Sequence, residues 1–149
     1  MVDRVNEYWS VAWLLSVSAG ILLAVLFVYY LHRWHRRRKH ALLGYGLIIT
    51  ALIYVVLAAI SANALWIVIE VVGSLLFLLL VWMAYQYSFW FLAMGWLIHI
   101  VWDIGGHPFS NAPYIPDWYP AMCAGFDLVV GLYIVGMLVS HSRRADSRG

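Results

Sequence analysis

The chain has 149 residues, 65% of them hydrophobic and 11% charged, with a formal net charge of +2 and a mean hydropathy of +0.85. A soluble domain needs about a quarter of its residues charged to dress its surface, so a water-soluble globular fold is excluded. The expectation is an all-α polytopic membrane bundle of five transmembrane helices forming a single domain, residues 1–149, with no nucleic-acid partner.

Residues 1–10 carry Asp3, Arg4 and Glu7 rather than the basic start of a signal peptide, so the first helix is expected to stay in the mature protein. The first apolar run, residues 8–31, stops at a basic cluster from His32 to His40 that cannot enter hydrocarbon. The second, residues 41–60, ends at the small polar turn Ser61-Ala62-Asn63-Ala64. The third covers residues 65–84 and is followed by an interfacial turn, Tyr85-Gln86-Tyr87-Ser88. The fourth, residues 89–104, is ended by Gly105, Gly106 and Pro108. A loop over residues 105–120 holds all four prolines, and a fifth span, residues 121–140, leads into a polar tail.

Eight of the nine Lys and Arg fall in the first loop (Arg33, Arg36, Arg37, Arg38, Lys39) and in the tail (Arg143, Arg144, Arg148). Five spans put both on one side, which the positive-inside rule makes cytoplasmic, with the N-terminus outside and the C-terminus inside. The basic cluster then serves as an orientation anchor and a contact for lipid headgroups. His32, His35 and His40 belong to this solvated loop, and Trp9, Trp13, Tyr85, Tyr87, Trp90, Trp118 and Tyr119 read as interfacial belt residues.

Three ionisable residues lie inside spans at about the same depth. Glu70 is about five residues into the third span, or roughly 8 Å; His99 precedes the outer end of the fourth, and Asp127 follows the start of the fifth. An unpaired charge deep in lipid costs about 2.5–3.5 kcal/mol, so these groups are expected to face one another inside the bundle. Asp103 and His107 are expected at the outer mouth above them. Helical spacing puts Gly95, His99 and Asp103 on one face. His99-x-x-x-Asp103-x-x-x-His107, with Glu70 and Asp127 in reach, has the donor chemistry for a divalent zinc, iron or manganese ion. A metal-free acid–base pocket built on Glu70, His99 and Asp127, and a purely structural polar network, are the alternatives. Trp96 and Trp102 either wall the site or pack between helices, and Cys123, one turn from Asp127, is a ligand or a small hydrophobe.

Gly95-Trp96, His99-Ile100-Val101-Trp102-Asp103, His107, the Pro-bearing loop, Cys123 and Asp127 together resemble an uncharacterised family of small bacterial integral membrane proteins. The likeness covers about residues 54–136, Glu70 included, and implies a site at these residues and a bacterial inner-membrane location. Gly106 stands where that family shows a histidine before His107. Asp103-x-x-x-His107 is also similar to part of the metal motif in the C subunit of particulate methane and ammonia monooxygenases, and the five-span layout with an acid–histidine pocket is similar to the sterol-isomerase and sigma-2-receptor group.

The functional expectation is a small membrane enzyme, of hydrolase or isomerase type, acting on a lipid or apolar small molecule near the outer leaflet. The alternative is a non-enzymatic membrane subunit or ligand-binding module, in a homo- or hetero-oligomer, whose polar cluster is structural.

Overall fold

The structure is a computed structural model that describes residues 11–61, 63–106 and 114–146. It is all-helical: α1 Val11–His32, α2 Arg36–Ile60, α3 Ala64–Gln86, α4 Trp90–Val101 continuing into a π-helical turn Trp102–Gly106, and α5 Trp118–Asp146. Helices α1, α2, α3 and α5 are long and apolar enough to cross a membrane, while Trp90–Gly105 is a shorter apolar helix. The chain is a helical membrane bundle.

Several boundaries differ from the sequence expectation, each for a local reason. Most of the basic cluster is helix rather than loop, because α2 already starts at Arg36 and only Arg33, Trp34 and His35 make the turn. Arg and Lys are good helix formers, and the side chains of Arg36, Arg37 and Arg38 stay exposed, so the cluster remains hydrated while its backbone bonds helically. The fourth α-helix stops at Val101 and widens into the π turn rather than running on to residue 104. The fifth helix begins three residues earlier than expected, with Pro120 in its first turn, where the missing N–H costs nothing, and continues past residue 140 into the tail. At the start of α3 the Asn63 side chain accepts from the backbone N–H groups of Leu65 and Trp66, which fixes the turn after α2.

Helix α1 packs chiefly on α5, α5 on α4, and α3 on both α2 and α4. The α1–α5 crossing brings backbones into contact: a Cβ at Gly20 would strike the Met122 carbonyl, and one at Gly125 the Val17 carbonyl. Small residues give transmembrane helices this approach, since lipid supplies no hydrophobic force between them. Elsewhere α1 exposes Leu14, Leu15, Leu22, Leu26 and other apolar side chains, as a lipid-facing helix does. A buried core of Leu43, Leu47, Phe77, Leu92, Trp96, Val130 and Ile134 joins α2 to α5.

The bundle has two chemically distinct ends. At one, Tyr85 on α3 donates to the His40 carbonyl on α2 (2.8 Å) and His40 stacks on Phe89 (4.0 Å), which holds the α3–α4 turn beside the basic run. The opposite end gathers the end of α2, the starts of α3 and α5, and the π turn. The intramembrane polar residues lie toward that second end.

Candidate functional site

His99 and Asp103 are one helical turn apart on α4 and its π turn, and Asp127 faces them from α5. All three are fully buried, at 0% exposure. His99 Nδ1 lies 2.7 Å from Asp127 Oδ2 and 3.4 Å from Asp103 Oδ2. One ligating atom from each residue lies within 4.8 Å of the other two, so the group could hold a metal ion. Atoms bound to one ion at about 2.0–2.2 Å stand no more than ~4.4 Å apart, and about 3.4 Å apart in a tetrahedron, so binding would draw the donors together by up to roughly 1.4 Å.

The donors are not exhausted by their bonds to one another. Among the described residues His99 Nε2, Asp103 Oδ2 and Asp127 Oδ1 have no hydrogen-bond partner. The Asp103 and Asp127 carboxyls are also within hydrogen-bonding reach of each other. Two carboxylates are both acceptors, so such a contact is favourable only with a proton or a cation between them. Two like charges about 4 Å apart at an effective dielectric of 20 repel by ~4 kcal/mol, so the pair needs a proton or a cation in contact with both.

Around this centre α2 and α3 supply aromatic groups. Tyr54 on α2, itself fully buried, donates its phenol to Asp103 Oδ1 at 2.7 Å. Its ring lies 5.9 Å from the His99 ring and 5.4 Å from Tyr119. Phe77 on α3 sets its ring against His99 at 4.7 Å. Cys123, one turn from Asp127, is buried, and it lies outside the three-residue group.

The sequence-predicted residues are therefore distributed unevenly. His99 and Asp127 meet as the shared depth anticipated. Asp103 is not at an outer mouth but in the centre itself, because the π turn continues the buried face of α4 through it. Glu70 is buried, at 1% exposure, yet stands outside the group: its Oε2 accepts from Trp102 Nε1 (3.3 Å) and its Oε1 from the Tyr114 hydroxyl (2.8 Å). Gly73, one turn from Glu70, makes that contact possible, since a Cβ there would fall 2.6 Å from the Trp102 ring. Burial first, and then the Glu70 hydrogen bond and charge, raises the Tyr114 pKa above its ordinary value, so this phenol stays a donor. His107 lies outside the described residues. Trp96 is a core residue, fully buried with Nε1 donating to the Leu43 carbonyl (3.2 Å); Trp102 is the indole that reaches Glu70.

Tyr54 was missed by sequence reasoning although a signal exists. Its phenol falls six residues inside the end of its helix, about 9 Å from the bundle end, too deep for the headgroup region where tyrosine is ordinarily at home. A hydroxyl at that depth needs an internal partner, and Asp103 is that partner.

Fold and site together define a polytopic helical membrane protein with a buried histidine–carboxylate centre. No protein-family profile, curated protein or solved structure matches the chain, so its chemistry is read from its own residues.

Proposed function

We propose that the chain is a small membrane metalloenzyme that holds a divalent cation through His99, Asp103 and Asp127 and acts on a lipid or another apolar molecule. The observation that carries this reading is the donor set: three fully buried side chains whose ligating atoms lie within 4.8 Å of one another. A divalent cation with two carboxylates and a neutral imidazole is electrically balanced, which removes the repulsion that buried carboxylates otherwise suffer. One nitrogen and two oxygen donors suit zinc, iron or manganese rather than a soft cuprous ion. Such an ion would supply Lewis acidity to a substrate oxygen in a hydrolysis or an isomerisation.

Depth supports the substrate class. Tyr54 and Glu70 lie six residues inside the ends of their helices, about 9 Å from the end of the bundle and just beneath headgroup level. Under the positive-inside rule the basic clusters favour a cytoplasmic location for the other end, which supports a site toward the outer leaflet. Membership of the small bacterial membrane family, and hence a bacterial inner-membrane location, is proposed on the His99, Asp103, Cys123 and Asp127 pattern.

A second reading has its own observation in its favour: the Tyr54–Asp103 and His99–Asp127 bonds tie α2, α4 and α5 together, as a structural polar pin in a non-enzymatic subunit would. Elemental analysis of the purified protein separates the two. About one zinc, iron or manganese per chain, lost in folded His99→Ala and Asp127→Asn variants, is the expected result. A parent that neither carries nor takes up metal, with variants that unfold, gives the structural reading.

A further inference from the structure

We infer that Tyr54 positions the Asp103 carboxylate for cation binding, an inference that rests on the metal reading above. A carboxylate that binds an ion through one oxygen leaves the other in need of a donor, and that donor decides which oxygen faces the ion. The Tyr54 hydroxyl takes Asp103 Oδ1 at 2.7 Å. It thereby leaves Oδ2, the oxygen 3.4 Å from His99 Nδ1, without a hydrogen-bond partner among the described residues.

The phenol is itself held from two sides. Its ring packs on His99 and meets Tyr119 edge-on at 5.4 Å, so its hydroxyl cannot swing away without disturbing the site. The ligating atoms come from α4 and α5, and α2 contributes this outer contact. Tyr54 thus touches one ligand through its hydroxyl and another through its ring, and both contacts are buried.

Titration of detergent-purified, metal-stripped protein with Mn²⁺ and Zn²⁺ tests this. Tyr54→Phe keeps the ring and removes the donor, whereas Tyr54→Gln keeps a donor and removes the ring. Tyr85→Phe is the control, because it deletes a phenol bond of similar length, to the His40 carbonyl at 2.8 Å, at the far end of the bundle. The expected result is binding about 10–100-fold weaker for Tyr54→Phe, a smaller loss for Tyr54→Gln, and parental affinity for Tyr85→Phe. Parental affinity in Tyr54→Phe overturns the inference, as does a greater loss in Tyr54→Gln than in Tyr54→Phe. Failure of Tyr54→Phe to fold while Tyr85→Phe folds also overturns it, because the hydroxyl would then serve folding alone. A parent that binds neither metal removes the metal reading itself, whereas a parent that binds with an indifferent Tyr54→Phe removes only the role of Tyr54.

Discussion

Two buried acidic sites lie at the same end of this bundle and differ in what surrounds them. Among the described residues Glu70 accepts from Trp102 Nε1 on one oxygen and from the Tyr114 hydroxyl on the other. Asp103 and Asp127 instead stand beside each other and share one imidazole, with an oxygen of each left unbonded among the described residues. A carboxylate satisfied by neutral donors explains its own burial. A pair of carboxylates with spare acceptors does not, and that difference marks where a cation would bind.

The largest expected effect comes from removing a ligand in the second site. His99→Ala and Asp127→Asn should abolish metal uptake, and with it the stabilisation that metal gives the parent, about 2.7 kcal/mol at a hundredfold excess over Kd. Asp127→Asn also sharpens the contrast in the metal-free state. An amide beside Asp103 replaces an acceptor by a donor and removes one of two like charges, so the stripped variant should melt no lower than the stripped parent. A stripped Asp127→Asn that melts far below the stripped parent would show that the His99–Asp127 bond is chiefly a helix pin.

The same substitution logic gives the opposite signature at Glu70. Glu70→Leu strands the Trp102 and Tyr114 donors, at about 1–3 kcal/mol for each that finds no other partner. Thermal melting should fall accordingly while metal stoichiometry stays that of the parent. Loss of metal from folded Glu70→Leu would merge the two sites into one.

These differences were only partly legible in the sequence. Apolar runs bounded by Arg33 to His40, Ser61 to Ala64 and Gly105-Gly106 fix five helices, because charge and helix-breaking residues cannot enter hydrocarbon without compensation. Depth was legible too: counting along the spans brings Glu70, His99 and Asp127 to one level. The direction each side chain takes around its helix axis depends on which neighbour it meets, and a single chain of letters does not encode that. Glu70 therefore shares the level of His99 yet turns to Trp102, which Gly73 admits. Asp103 looked like a residue of the rim because Gly105-Gly106 follows it, but the π turn carries it into the centre. Tyr54 was hidden among aromatic residues whose usual place is the interface.

The smallest effect belongs to Tyr114→Phe. Tyr114 is only partly buried and precedes α5, and its phenol is, with Trp102 Nε1, a donor to Glu70. Its removal leaves Trp102 still bonded to Oε2, so the acid keeps that partner and the loss should be about 1–2 kcal/mol, the net worth of a single hydrogen bond to a partly exposed carboxylate contact. The melting temperature should drop slightly, and metal affinity should match that of the parent because the bond lies on the Glu70 side of Trp102. The informative comparison is with Tyr54→Phe: two phenols, each donating to a buried carboxylate, at 2.8 and 2.7 Å. If both substitutions weaken metal binding equally, Trp102 transmits the state of Glu70 to the Asp103 turn, and the two acidic sites act as one network.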